Sequence, residues 1–192
     1  FIIGDIMFAI VESGSITSYT KGNRGVQIGS VKHSADIFTS KWTESERNAI
    51  GVYTIEIDES NKKNEKWYIN TDITYAFSGG KVTGSYGSAT AREHADKDGV
   101  PGLKTILIND LKGEVKSLLA QTDWYVVRKA DTAEAVPSSV ATHRAAVRTK
   151  QVSMETAITN AADTAALETL YTYTEQGDGS LTRPLGELPT LE

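Results

Sequence analysis

The sequence predicts an α+β protein: a small antiparallel β region, then a long helical hairpin, then an extended C-terminal arm. Three observations carry this expectation. Residues 8–86 contain short β-branched and aromatic runs punctuated by glycine. From Leu103 onward, Leu103, Ile106, Leu107, Leu111, Val115, Leu118 and Leu119 step by three and four, the spacing of one helix face. After Glu175, Gly177, Gly179, Pro184, Gly186 and Pro189 break every period. These shifts set the expected organisation: a β-rich region with one short helix over 1–88, a linker over 89–102, the helical hairpin over 103–174 and the arm over 175–192.

In chain order, Phe8-Ala9-Ile10-Val11 and Ile16-Thr17-Ser18-Tyr19 flank Glu12-Ser13-Gly14-Ser15 and read as a hairpin. A further strand is expected over 25–30. Thr43 with Glu46 three residues on forms a capping box, and Gly51 supplies a stop, so a short helix is predicted from Thr43 to Ile50. Val52 to Ile57 alternates as a strand, with Val52 and Thr54 opposite Tyr53 and Ile55. Asp58 to Lys66 is a polar loop. Trp67 to Phe77 and Lys81 to Tyr86, joined at Ser78-Gly79-Gly80, read as a second hairpin.

The first long helix, unbroken from Leu103 to Arg128, would span roughly 40 Å at 1.5 Å per residue. Gly113 in its interior is either a tolerated defect, costing about 1 kcal/mol relative to alanine, or a place where a neighbouring helix comes close. Trp124, Tyr125, Val126 and Val127 are consecutive and so point all round a helix, which one covering surface cannot bury. After Pro137, Ser138 or Ser139 can cap a second helix with Val140, Val147, Met154 and Ala161 seven apart, joined by Ile158 and Ala165. That stripe is narrow. Burying it against one helix does not offset the conformational entropy of ordering both, so a partner surface is expected. The residues expected at such an interface are Leu111, Val115, Leu118, Trp124, Tyr125, Val147 and Met154. Leu181, Leu185, Leu188 and Leu191 are expected to seat the arm on another subunit.

At 192 residues and 39% hydrophobic content the chain can build a core. A net charge of −5, with no basic patch, gives nucleic acid and anionic membranes little attraction. No window approaches 18 apolar residues, so no bilayer span is expected. Phe1-Ile2-Ile3 breaks at Gly4-Asp5 and does not read as a signal peptide, while Met7 opens a stretch that would itself make a sensible start. The absence of cysteine excludes disulfides, zinc-thiolate sites and thiol nucleophiles.

Chemistry-bearing motifs are weak. His94-Ala95-Asp96-Lys97-Asp98-Gly99 has the beat of a calcium loop, yet it starts on histidine and places Thr105 where a closing glutamate belongs. Gly79-Gly80-Lys81-Val82-Thr83 packs its glycines too closely for a phosphate loop. His33, His94 and His143 lack ligand spacing, and Glu56 with Asp58 reads as a solvated edge. Trp67, Tyr68, Tyr75 and Tyr86 could stack a sugar, although core or cross-strand packing is the commoner use of such residues. No enzymatic activity, cofactor or metal is expected.

Met7 to Val11, Gly14-Ser15-Ile16, His33 to Phe38, Trp42, Glu46 and Ala49 to Tyr53 resemble the opening of small proteins of tailed bacteriophages linked to tail fibres and fibre assembly. Asp123 to Lys129, Pro137, Val140 and Arg144 to Arg148 are similar to the helical C-terminal segment of the same proteins. Residues 60–100 and those after 171 take no part in the resemblance. It implies a non-enzymatic virion component of the tail, at the baseplate or a fibre attachment, made in the host bacterial cytoplasm. It would be homo-oligomeric, three copies favoured, and bound to other tail, baseplate or fibre proteins. The alternatives are a fibre assembly chaperone absent from the mature virion and a glycan-binding tail tip.

Overall fold

The computed structural model describes residues 8–191; the expectations for the Phe1 start and for Met7 lie outside the described residues. The chain divides between Thr90 and Ala91 into two compact units, and strands and helices together make it α+β.

The first unit holds β1 (Phe8–Glu12), β2 (Ser15–Thr20), β3 (Val26–Ile28), β4 (Val31–His33), a 3-10 turn (Ala35–Phe38), α1 (Glu44–Ala49), β5 (Val52–Asp58), β6 (Tyr68–Ile69), β7 (Ile73–Ser78) and β8 (Lys81–Tyr86), with β9 (Thr90–Ala91) at the boundary. A five-stranded sheet runs in the order β2-β1-β5-β8-β7. β1 lies inside the sheet, between β2 and β5, and is buried on both faces, which is why its four apolar residues are consecutive rather than alternating. Phe8 packs with Ile37 and Val52, whereas Ala9 and Val11 face the other way and pack with Val82. The edge strands β2 and β7 approach across the second cluster, where the Tyr19 and Tyr75 rings lie 5.1 Å apart, so the sheet curls around that cluster. Gly84 sits inside the curl: a Cβ there would come within 2.9 Å of side-chain atoms of Tyr75, Ile57 and Ile73.

Local signals and structure agree at several points. Ser13 and Gly14, and Gly79 and Gly80, all take positive φ, the two-residue turn that matches the twist of antiparallel strands. Thr43 Oγ1 accepts from the Glu46 N–H while Glu46 accepts from the Thr43 N–H at 2.7 Å, completing the capping box. At Gly51 φ is +83°, and a Cβ would lie 2.5 Å from the Val11 carbonyl oxygen.

The expectation of a wholly antiparallel β region needs correction, because β5 and β8 pair in parallel. β7 takes the edge position and β8 inserts between it and β5, so the β7–β8 hairpin delivers a strand running with β5. Hydrophobic alternation is the same for either direction, so it carries no sign of this. The segment expected as one strand from 25 to 30 is itself a hairpin, β3 and β4, turning at Gly29.

The second unit holds α2 (Leu103–Ala120), α3 (Asp123–Thr132), α4 (Ser138–Asn160), α5 (Thr164–Tyr171), β10 (Thr174–Glu175) and β11 (Leu181–Thr182). The segment expected as a linker, 89–102, belongs from Ala91 onward to this unit. The Arg92 carbonyl accepts from Thr164 Oγ1 at 2.7 Å, the Glu93 and His94 carbonyls accept from the Leu103 and Lys104 N–H groups, and Asp96 accepts from Gly102 N–H at 2.9 Å and Thr105 Oγ1 at 2.6 Å. These bonds bracket the start of α2, whose own N-cap Gly102 has no side chain to do so.

α2 and α4 run antiparallel, since Lys104 donates to the Thr159 carbonyl at one end and Arg144 reaches Leu119 at the other. Leu103, Leu107, Leu111 and Val115 are buried, as are Val140, Val147, Met154, Ile158 and Ala161. Gly113 faces open space, with nothing close enough to need the missing side chain. The expected strut from Leu103 to Arg128 is broken at Gln121-Thr122, and the second helical run is broken after Asn160, with Asp163 capping α5 through the Ala166 N–H at 2.8 Å. Neither Ser138 nor Ser139 caps α4, because Pro137 occupies the N-cap position.

The arm turns back on its own unit. Leu185 is buried, its N–H donates to the Leu170 carbonyl, and its carbonyl accepts from Lys150 Nζ at 2.9 Å. Arg183 lies over the rings of Tyr171 and Tyr173 and pairs with Glu187, which also accepts from the Tyr173 hydroxyl at 2.7 Å.

Candidate interaction site on the third helix

α3 begins where α2 is interrupted. Thr122 is buried, and both its N–H and its hydroxyl donate to the Leu119 carbonyl, so a turn closes instead of a further α-helical step. Arg144, buried on α4, donates to the Leu119 carbonyl and to Thr122 Oγ1, each at 2.7 Å, and pairs with Asp123 at 2.8 Å. One guanidinium therefore serves the carbonyl end of α2 and the acidic first turn of α3 together. At its other end α3 stops at Ala133, which adopts the left-handed conformation with φ +59°.

None of the residues of α3 is buried. Trp124 and Tyr125 pack ring against ring at 3.7 Å, and Arg128 lies 4.8 Å over the first and 5.4 Å over the second. Arg128 is itself held by Glu134 at 3.2 Å. Trp124 is 51% exposed and Val127 66% exposed, with Val126 also exposed and Tyr125 half-buried. The result is a helix that exposes aromatic and aliphatic side chains, with Trp124 and Tyr125 braced by one cation. Exposed large apolar groups gathered on one short helix are a feature of protein contact surfaces.

The expected interface residues separate into two sets. Leu111, Val115, Val147 and Met154 are buried within the chain itself, between α2 and α4, so they are withdrawn as intermolecular contacts: the second covering surface comes from the same polypeptide. Leu118 is half-buried, and Trp124 and Tyr125 stand on α3. The expectation that Leu185 seats the arm on another subunit is likewise corrected by its burial in its own unit. Leu181 and Leu191 are exposed and Leu188 is half-buried.

The residues weighed for chemistry find structural uses. Asp98 and Gly99 form a tight turn with positive φ, and Asp96 braces α2; hydrogen bonds from Thr105 and Gly102 hold the Asp96 carboxyl below the usual range. Gly79 and Gly80 close a hairpin. Among the described residues no cluster of three or more histidine, aspartate or glutamate side chains could hold a metal ion. Glu56 faces Lys81 at 3.4 Å, and Asp58 accepts from the Ser60 N–H, which lowers its pKa. Trp67 is buried with Lys66 over its ring, and Tyr75 packs on Tyr19, so these aromatics do not form one open sugar-stacking surface.

Sequence reasoning missed Thr122, Arg144 and Arg128 as the residues that shape the site. The Asp123–Lys129 run carried the signal for exposed aromatics, but Arg144 lies more than twenty residues from the turn it holds. Comparison with protein-family models, with curated proteins and with solved structures finds no match to this chain.

Proposed function

We propose that this chain is a structural component of a bacteriophage tail, at the baseplate or a fibre attachment, that works by protein–protein assembly with α3 as the contact element. The observation that carries the assembly reading is the exposure of Trp124, Val126 and Val127 on one braced helix. The phage context is supported by the resemblance, which includes the α3 run Asp123 to Lys129. Self-association, with three copies favoured, is moved from the buried α2 and α4 faces to α3. A serine at both Trp124 and Val127 removes apolar area from solvent-facing positions and leaves the α2/α4 core intact.

Light scattering on the purified chain tests the self-association. A trimer mass that falls to a monomer in Trp124→Ser/Val127→Ser supports it, and a monomer mass for the unmodified chain refutes it. Mass spectrometry of purified virions tests the place of action. Stoichiometric presence supports a tail component, whereas absence from the particle refutes that and favours a fibre assembly chaperone.

A further inference from the structure

Gly113 lies inside α2, and no atom lies within 4 Å of the place its Cβ would take, so nothing in this unit requires glycine there. The residue weakens the helix relative to alanine and brings its own chain no closer packing. What it leaves is room. Gly113, Glu114, Ser117 and Leu118 of α2, with Glu187 and Leu188 of the arm, line an open hollow of about 540 Å³, a size that accepts an inserted group. Leu118 and Leu188, both half-buried, make it apolar in part. Its charge is negative: Arg183, also on the wall, is already bound by Glu187, and Glu114 has no ion-pair partner among the described residues.

We propose that the hollow receives α3 of a second copy of this chain, with Val126 entering beside Gly113 and Lys129 reaching Glu114. Val126 and Lys129 are three apart and so share one side of α3; both are exposed, and Lys129 has no ion-pair partner among the described residues. One element offers an apolar projection with a spare cation, the other an apolar recess with a spare carboxylate. Neither Val126 nor Lys129 lines the hollow of its own chain. The contact joins two different patches, and contacts of that kind close into rings, whereas α3 against α3 would be a two-fold pairing that stops at two copies. The inference rests on the proposed self-association through α3 and names the surface that α3 meets.

The test is light scattering on the full chain, alone and in mixtures. Gly113→Phe fills the hollow from a position that faces open space, and Val126→Asp puts a negative charge on the inserted side; each should give a monomer with an unchanged circular dichroism spectrum. Mixed one to one, the two variants should form a heterodimer, because the first keeps an intact α3 and the second an intact hollow. Persistent monomers in the mixture overturn the proposal. Each single charge reversal, Glu114→Lys or Lys129→Glu, should weaken association about threefold or more, and the double variant should recover it. A double variant no better than either single one overturns the charge match on which the docking rests. Both positions are exposed, so these changes keep the fold and decide the matter even where Gly113→Phe folds poorly. A trimer that withstands Gly113→Phe and Val126→Asp but dissociates in Trp124→Ser/Val127→Ser overturns this inference and leaves the self-association reading standing. A monomeric unmodified chain refutes both.

Discussion

Replacing the buried Arg144 by methionine should loosen the α2–α3 junction. Methionine keeps much of the stem's volume but removes two 2.7 Å hydrogen bonds, to the Leu119 carbonyl and Thr122 Oγ1, and the 2.8 Å pair with Asp123. Hydrogen bonds from a charged donor contribute about 1.5–3 kcal/mol each where the acceptor is buried, as Thr122 is. Asp123 is 57% exposed, so its pairing adds less than about 1 kcal/mol after solvent screening. The two bonds share one nitrogen and are not independent, which puts the expected loss at about 3–5 kcal/mol. On a unit of this size that corresponds to a melting temperature lower by roughly 12 °C or more. Native-state hydrogen exchange read by mass spectrometry should show the opening free energy of peptides from α2, α3 and α4 falling together, with those of β1 to β8 unchanged. Arg144→Lys keeps the charge, but a single ammonium on a differently shaped stem cannot serve Leu119 and Thr122 through one nitrogen and Asp123 through another, so it should recover less than half of the loss. A loss below about 1 kcal/mol in Arg144→Met would refute the idea that this guanidinium sets the helix break.

Four further outcomes are expected. Gly84→Ala should destabilise the β unit by about 1–3 kcal/mol in urea, because the new methyl meets Tyr75, Ile57 and Ile73 at 2.7–2.9 Å; a neutral result would mean the curled interior has slack. Leu111→Ala, at a site 4% exposed, should cost about 2–5 kcal/mol without altering the mass of the particle in solution, and dissociation without destabilisation would return that residue to an interface. Burial pushes the Tyr171 phenol up to about 12, so its raised pKa contributes stability that is complete below the unfolded value near 10 and is lost as pH rises through about 12. Ultraviolet titration should show late tyrosinate formation that is reduced, not abolished, in Tyr171→Phe, since the hydrogen bond to Glu187 also raises the Tyr173 phenol. Asp96 is held low by Thr105 and Gly102, so its contribution is present above the ordinary aspartate range and is lost as pH falls through its depressed value; Asp96→Asn should flatten the acid limb of the helical unit's stability curve, and an unchanged limb would count against the bracket around α2.

The parts of this fold that were legible in the sequence are those decided within a few residues. The capping box at Thr43 and Glu46, the stop at Gly51 and the Ser13-Gly14 turn each need only local chemistry. The stripe Val140, Val147, Met154 and Ala161, spaced by seven, was legible because one covering helix reads one face. What was missed is non-local. The parallel pairing of β5 with β8 is invisible to alternation, and the break at Gln121-Thr122 is held by an arginine on α4, two helices further along the chain. The arm was expected on another subunit because what holds it to its own unit is non-local: buried Leu185, its backbone bond to Leu170, the Lys150 ammonium on its carbonyl, and the Tyr173 hydroxyl donating to Glu187. At the candidate site, the run of apolar residues at 124–127 was visible, but the idea that the whole hairpin lacked cover was not upheld, since α2, α4, α5 and the arm cover one another.

The approach of Tyr19 to Tyr75 has a bearing on what the β unit can join. A sheet whose outer strands are turned toward each other offers little flat border for a foreign strand to extend, which protects against runaway stacking of copies. Two phenols 5.1 Å apart are also a natural photochemical reporter: oxidative coupling would stitch the seam shut within a single molecule, whereas coupling between molecules would mean the seam opens in solution.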